Sequence, residues 1–171
     1  FHKKHKLGFK WLHDRYGSNF RMTEIQALIG RYQLKNLDSQ IKKRNKIARN
    51  IINSLKLFWS KYNLISEPNF NRKNCLHAFY RINFYINIEK KKKIKLLNEF
   101  QKKKINCNEG PCPEIYKEKI FKKLKIYPKK KLINAVQLGK KSIAYHVNPF
   151  ITSNKLKSDI KYLKQIFLKS I

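Results

Sequence analysis

Acidic residues are scarce in this chain of 171 residues, which holds 10 Asp and Glu against 41 Lys and Arg. So few carboxylates do not favour paired-carboxylate acid–base chemistry. Three cysteines, Cys75, Cys107 and Cys112, cannot all pair with one another, and the five histidines lack zinc-finger spacing, so no metal site is predicted. No uncharged apolar run reaches the roughly eighteen residues of a membrane span. These absences predict a reduced, soluble, intracellular protein.

The net charge of +31 would ordinarily indicate a nucleic acid or an anionic membrane as partner. Only seven of the basic residues are Arg, however, and Lys, Asn, Ile, Phe and Tyr are the residues that A/T-rich coding DNA favours. Such drift spreads Lys over all solvated faces, and no basic block here alternates with stacking aromatics. Nucleic acid is therefore not expected as a partner, and a basic nucleic-acid-binding module or a non-catalytic dimerising module remains the alternative.

The stretch from Gly17 to Ala27 combines a turn, two side chains suited to anions and a helix start. Thr23 followed three residues later by Gln26 is a capping box, so a helix is predicted to begin at Thr23. The unpaired N–H groups of its first turn favour an anion there. Asn19 and Arg21 stand just ahead, and both carry donors for phosphate or carboxylate oxygens. The spacing alone leaves open an ordinary helix cap or an anion site.

Hydrophobic periodicity predicts the remaining elements. The helix from Thr23 contains Gly30, which is expected to mark a close approach of backbones. A longer helix is predicted over Ile41–Trp59, with an apolar stripe that would be half exposed without a neighbouring domain. Residues 60–75 are predicted to be a loop. The pattern then predicts, in order, a strand at His77–Ile88, a helix at Lys90–Lys104, a strand at Ile105–Cys107, short helices at Glu114–Phe121 and Leu132–Lys141, a strand at Ser142–Val147 and a helix capped by Thr152.

This order of elements is typical of a small α+β layer, in which helices cover one face of a mostly antiparallel sheet. The sequence contains no Ser, His and Asp set in obvious register, no Gly-rich phosphate loop and no acidic cluster. Residue patterns alone therefore assign no catalytic group. The chain starts at Phe1 without a hydrophobic signal segment, which agrees with the intracellular expectation.

Several stretches carry a resemblance to a known family. The first covers Phe9–His13 and Tyr16–Arg31 and includes the run Asn19-Phe20-Arg21-Met22. Counterparts then follow in the same order along the chain: the helix around Arg44, His77–Tyr80, Asn108–Lys119 and Val147–Thr152. Together they closely resemble the DegT/DnrJ/StrS-type sugar aminotransferases over nearly the whole chain.

The resemblance implies a pyridoxal-phosphate enzyme of the aspartate-aminotransferase architecture, known as fold type I. It would move an amino group from glutamate to a keto group of a nucleotide-linked sugar, in cell-envelope polysaccharide or glycan biosynthesis. A cytoplasmic homodimer is implied, with active sites at the subunit interface and no nucleic-acid or membrane partner. Residues 1–35 would be a remnant of the large domain, 36–59 a long connecting helix and 60–171 the small C-terminal α+β domain.

The resemblance also implies site residues. Asn19 matches the family asparagine that reaches the cofactor phosphate across the dimer, and Arg21 matches the arginine that meets the anionic part of glutamate or of the nucleotide sugar. Where many members have His before Pro-Phe-Leu-Thr, this sequence has Asn148, with His146 two positions earlier. Both are candidate substrate residues, since residues two apart on a strand share a face. Alternatively, Asn148 only initiates a turn and His146 packs locally. The segment Cys112–Glu118 is expected to shape the sugar pocket.

The lysine that carries the cofactor in this family lies some tens of residues before the Asn-x-Arg-Met motif. The lysines ahead of Asn19 are all too close to it: Lys3, Lys4, Lys6 and Lys10. That lysine holds the cofactor and shuttles the proton, so this chain alone is expected to contain no catalytic residue and not to transaminate.

Overall fold

The computed structural model of this chain describes residues 13–17, 22–66 and 76–170. Within these ranges the elements are α1 Glu24–Lys35, α2 Leu37–Ser54, α3 Lys56–Ser60, β1 Ile65–Ser66, β2 Arg81–Ile86, α4 Lys90–Lys102, β3 Cys107–Glu109, a 3-10 turn Ile115–Lys117, α5 Lys119–Lys123, α6 Ile133–Lys141, β4 Ser142–His146 and α7 Ser153–Leu168. Every strand pairing among them is antiparallel. The predicted α+β class with a mostly antiparallel sheet is confirmed for this part of the chain.

Helix α1 begins as the capping box predicts. The Thr23 hydroxyl accepts a hydrogen bond from the Gln26 N–H at 3.3 Å, and the Gln26 side chain accepts one from the Thr23 N–H at 3.0 Å. No residue of the helix is buried. A Cβ placed on Gly30 would meet no heavy atom within 4 Å, so the expected close approach of backbones is wrong in this structure. The apolar residues at helical spacing are all exposed: Ile25, Leu28, Ile29, Tyr32 and Leu34.

The long helix predicted over Ile41–Trp59 is two helices. Helix α2 ends at Ser54, and α3 starts two residues later, because Leu55 leaves the helical region with φ −101° and ψ 5°. The predicted apolar stripe is nevertheless correct, and it lies in the core rather than half exposed. Its buried members are Ala48, Ile51, Leu55 and Phe58. The core formed by the described residues therefore covers this part of the stripe.

The four strands form one sheet in the order β1-β2-β4-β3. Strand β2 shows the predicted alternation, with every second residue buried from Ile82 onward. Its register against β4 pairs Arg81 with His146 and Phe84 with Ile143. Strand β1 lies where a loop was predicted, since two residues are too few to show a period. Strand β3 runs over Cys107–Glu109, two residues later than predicted.

Helices α2, α4 and α7 pack with the apolar face of the sheet into one buried cluster. From α7 it takes Leu163, Ile166 and Phe167, while Ile160 is only partly buried. Thr152 caps α7 as predicted, because its hydroxyl accepts from the Lys155 N–H at 3.3 Å. The short helix predicted at Glu114–Phe121 is divided into the 3-10 turn and α5.

Two glycines are required by close packing on the other side of the sheet. A Cβ on Gly110 would collide with the Ser142 side chain, and a Cβ on Gly139 would collide with the Pro113 ring. Because Gly110 follows β3 and Gly139 lies in α6, the two contacts hold the segment after β3 against α6 and the start of β4.

Candidate functional site

The two residues predicted to bind the cofactor and the substrate, Asn19 and Arg21, lie outside the described residues. The first turn of α1, which directly follows them, is already complemented within the chain. The Thr23 hydroxyl occupies the Gln26 N–H, and Glu24 places a negative charge in the first turn. A carboxylate there offsets the helix dipole that would attract an anion. The cap occupies one of the first-turn N–H groups, and binding of an anion at this helix end stays a prediction.

The segment 13–17, just before the motif, is bound to the far part of the chain. The backbone N–H of His13 donates to Oε2 of Glu118 at 2.9 Å, and Nδ1 of His13 lies 3.0 Å from Oε1 of the same carboxylate. The N–H of Ile120 donates in turn to the His13 carbonyl at 3.0 Å. Three contacts thus join His13 to the start of α5. Glu118 lies 105 residues after His13 in the sequence.

Glu118 is held as a carboxylate in a buried position. Its side chain is 8% exposed, while the His13 side chain is 77% exposed. Burial acts to raise the pKa of Glu118, but the hydrogen bonds and charge of His13 outweigh it and lower the pKa. The sequence contained no signal for this pair, because hydrogen bonds between distant residues leave no local pattern.

The neighbouring part of the predicted pocket segment has its own polar cluster. The Glu114 carboxylate accepts from the Tyr116 hydroxyl at 2.6 Å and from Nζ of Lys117 at 2.9 Å. These two hydrogen bonds lower the pKa of Glu114, and the same carboxylate raises the pKa of Tyr116. The cluster links Glu114, Tyr116 and Lys117 within the segment from Cys112 to Glu118, whose role toward a sugar stays a prediction.

Asn148 and His146 lie at the end of β4. The Asn148 side-chain oxygen accepts from the Phe150 N–H at 2.9 Å, which is the Asx turn that the Asn-Pro sequence favours. His146 is the last residue of β4 and is half-buried beside Arg81 of the neighbouring strand. The turn-forming alternative for Asn148 therefore has a direct structural basis. A substrate role of either residue stays a prediction.

The segment before β2 is strained and tied to α2. Phe79 has a φ of 45°, which is unusual for a residue with a bulky side chain, and its N–H donates to Nδ1 of His77 at 3.0 Å. The Asn45 side chain donates to the His77 carbonyl at 2.8 Å. Strain of this kind persists only where surrounding contacts enforce it. This segment coincides with the His77–Tyr80 match noted in the sequence.

The sheet face opposite the core carries polar atoms that the sequence did not single out. Among the described residues, Nε of Arg81, Oδ1 of Asn83 and Oγ of Ser142 are buried without a hydrogen-bond partner. The strand register places all three side chains on this one face. The Arg81 guanidinium lies over the Tyr80 ring, 4.9 Å from its centroid. In the sequence, the alternation with period two placed Arg81 and Asn83 apart from the core residues. That alternation was the signal by which these two residues could have been found.

Two surface clefts lie elsewhere. One, of about 410 Å³, is lined by residues of α4 and of the end of α7: Lys92, Lys95, Leu96, Glu99, Ile166, Lys169 and Ser170. The other, of about 300 Å³, is lined by Tyr62, Asn63, Leu64, Asn87, Ile88, Glu89, Lys92 and Ser170. Neither contains a predicted site residue.

In the described ranges no helix is long and apolar enough to cross a bilayer, and no three metal-ligating side chains are grouped.

Residues 2–164 match the sequence model of the DegT/DnrJ/EryC1/StrS aminotransferase family. Comparison with curated proteins gives no match. Among solved structures, the aminotransferase from Psychrobacter cryohalolentis is 28% identical, with a TM-score of 0.77 over 98% of this chain and 44% of that one. A Streptococcus pneumoniae protein described as a sugar aminotransferase, in its PLP form, is 17% identical, with a TM-score of 0.66 over 88% of this chain and 37% of that one. The E. coli GDP-4-keto-6-deoxy-D-mannose-3-dehydratase with bound hydrated PLP is 18% identical, with a TM-score of 0.58 over 86% of this chain and 36% of that one.

The chain spans less than half the length of these solved relatives. Two of the three structures contain pyridoxal phosphate, and the family uses this cofactor. Among the described residues, the first turn of α1 lies nearest in sequence to Asn19, the residue predicted to bind the cofactor phosphate. The first turn of α1 is closed by Thr23 and Gln26 and carries the charge of Glu24, which opposes a phosphate. Asn19 and Arg21 lie outside the described ranges, so their roles toward the cofactor and the substrate stay predictions.

Proposed function

This chain belongs to the DegT/DnrJ/EryC1/StrS aminotransferase family, and on that premise we propose that it forms the C-terminal part of a sugar aminotransferase. The complete enzyme transfers an amino group from glutamate to a keto group of a nucleotide-linked sugar, in cell-envelope polysaccharide or glycan biosynthesis. The observation that carries the proposal is the family match over residues 2–164, which includes the Asn19-Phe20-Arg21-Met22 run.

Asn19 and Arg21 have separate roles in this proposal. Asn19 donates to the cofactor phosphate of the other subunit of a cytoplasmic homodimer, since its amide is a donor of suitable size. Arg21 binds the carboxylate of glutamate or the phosphates of the nucleotide sugar through its planar fork of donors. His146 and Asn148 are the proposed further contacts to the sugar. The contacts of His13 with Glu118 and Ile120 support the proposal, because they join the stretch before the motif to the segment that the resemblance assigns to the sugar pocket.

The chain of 171 residues is proposed to be inactive when it is alone. The cofactor lysine of the family precedes the motif by more residues than this sequence contains before Asn19. Incubation of the purified chain with pyridoxal phosphate, glutamate and a nucleotide-linked keto sugar should therefore yield no 2-oxoglutarate. Formation of 2-oxoglutarate above a heat-denatured control would contradict this part of the proposal.

Arg21→Ala in the complete enzyme tests the substrate role. We expect KM for the amino donor or the sugar to rise about tenfold or more, as for the loss of a hydrogen bond to a charged group. The absorbance of the bound cofactor should stay unchanged. The matched control is Arg31→Ala, because Arg31 is an exposed arginine of α1 and should leave the kinetics intact. Equal kinetics for both variants would remove Arg21 from the site.

A further inference from the structure

The arginine at the start of β2 has no anionic partner in the part of the chain that the structure describes. There, Nε of Arg81 is buried and has no hydrogen-bond acceptor. The five ion pairs of the described residues all join other side chains, so none of them neutralises the guanidinium. A buried donor without an acceptor costs free energy. Arg81 is therefore a position at which an anion would be stabilised.

The Tyr80 ring orients this guanidinium without using its donors. The guanidinium carbon lies over the ring, 4.9 Å from its centroid, and the Tyr80 residue is 55% exposed. A ring face attracts a cation, but it offers no oxygen or nitrogen acceptor in the plane of the N–H groups. Arg81 as a whole is half-buried, so a ligand can reach the guanidinium from solvent.

Two neighbouring side chains add polar groups of other kinds. Asn83 follows Arg81 on the same face of β2, and its Oδ1 is also buried without a partner in the described ranges. His146 lies opposite Arg81 on β4 and is half-buried. Residues in such positions are about 5–7 Å apart. A ligand that suits them carries an anionic oxygen for Arg81 and a hydroxyl group for Asn83.

We propose that Arg81, Asn83 and His146 form a binding site for a phosphate group that is joined to a sugar. Arg81 binds the phosphate, because its planar fork of donors matches phosphate oxygens. Asn83 accepts a hydrogen bond from a sugar hydroxyl, and His146 extends the site toward the end of β4. The identification of the ligand as a nucleotide-linked sugar rests on the proposed function, whereas the binding of a phosphate at Arg81 does not.

Pyrophosphate binding to the 171-residue chain tests the site without cofactor or enzyme activity. Arg81→Lys keeps the charge of the chain but removes the planar fork. We expect the Kd measured by calorimetry at constant ionic strength to rise about tenfold, as for a lost hydrogen bond to a charged group. Arg49→Lys is the matched control, because Arg49 is exposed on α2 and the net charge again stays the same. Equal Kd values for all three proteins would overturn the proposal.

A second measurement locates the bound pyrophosphate and does not depend on the folding of Arg81→Lys. In the unsubstituted chain, pyrophosphate should shift the backbone amide NMR signals of Arg81 and His146 more than those of other residues. If the largest shifts lie in the lysine-containing helices α4 and α7, pyrophosphate binds through the general net charge of +31, and the proposal is overturned.

Kinetics of the complete enzyme separate this site from the proposed function. Arg81→Lys should raise KM for the nucleotide-linked keto sugar about tenfold and leave KM for glutamate unchanged. An active enzyme in which the substitution leaves both KM values unchanged would overturn the sugar-phosphate site alone. An unsubstituted enzyme without aminotransferase activity would refute the proposed function and leave the pyrophosphate result standing.

Discussion

Lys93 is a buried lysine. Its side chain is 4% exposed, its Nζ donates to the Gly139 carbonyl at 3.2 Å, and the Glu109 carboxylate lies 3.7 Å away. Burial lowers the pKa of Lys93 from the ordinary 10.5, and the attraction of Glu109 only partly offsets this effect. The lysine therefore joins α4, β3 and α6, and its burial disfavours the charged form.

The lowered pKa predicts how stability depends on pH. Between the folded-state pKa of Lys93 and 10.5, the unfolded chain binds more protons than the folded one, so the free energy of unfolding rises with pH in that window. Lys93→Met removes this contribution. Denaturant unfolding at several pH values should therefore show wild type gaining on Lys93→Met as the pH rises toward 10.5. Lys92→Met, an exposed neighbour, is the control, and a gap for Lys93→Met that stays constant with pH would contradict the prediction.

Residue-scale features were predictable from the sequence only where the partners are close in it. The caps at Thr23 and Thr152 were predicted because a cap joins a side chain to an N–H three residues away. The pairs Lys93 with Gly139 and His13 with Glu118 were missed, because each joins residues that only the folded chain brings together. Asn19 and Arg21 were predicted as site residues from the family resemblance. Their local chemistry alone did not distinguish an anion site from an ordinary helix cap.

At the scale of elements, α1 and α7 have similar Thr caps, but only α7 buries residues in the core. Helix α7 buries Leu163 and Phe167 in the core, whereas α1 buries no residue. A frayed first turn of α7 disturbs its packing on α4 and α2, but a frayed α1 exposes nothing that was buried. The same chemical change should thus have unequal consequences.

Thr152→Ala should lower the free energy of unfolding by about 1 kcal/mol, the usual contribution of an N-cap hydroxyl. Thr23→Ala should leave the global transition almost unchanged, since α1 contributes no buried surface to it. Chemical denaturation of the two variants, followed by circular dichroism, compares them directly. Equal losses of stability would mean that α1 is part of the cooperative unit.

Element types were predictable where the pattern was long enough. The alternation in β2 and the helical stripes of α4 and α7 reflect which face is buried, and burial is what selects those residues. Strand β1 is two residues long, and its pairing with β2 depends on the sheet rather than on its own sequence. No Gly or Pro marks the break at Leu55, and the apolar stripe continues across it. The sequence therefore predicted one helix where the structure has two.

At the scale of the whole molecule, the core and the exposed apolar surface are separated. The buried cluster joins α2, α4, α7 and the sheet, while α1 presents Ile25, Leu28 and Tyr32 to solvent, each about two thirds exposed or more. The sequence predicted an exposed apolar stripe on the wrong helix. The stripe over Ile41–Trp59 is covered by long-range packing, which the periodicity of one helix does not reveal.

The exposed face of α1 should make the isolated chain associate as its concentration rises, because contiguous apolar surface of this kind promotes contact between molecules. Leu28→Gln combined with Tyr32→Gln should reduce that association without changing the unfolding midpoint, since neither side chain is buried. Sedimentation velocity over a concentration series measures the effect. Lys35→Gln on the same helix is the control, and identical behaviour of all three proteins would exclude α1 as the contact.

Close packing at Gly110 and Gly139 should limit the substitutions that these two positions accept. A/T-rich coding favours Lys and Asn, and a solvated position accepts either without harm to the fold. At these two glycines the first carbon of any side chain would collide with Ser142 or Pro113. Selection should therefore act against substitutions at these two positions even where base composition favours them, and we expect their codons to vary less among related sequences than codons for solvated lysines.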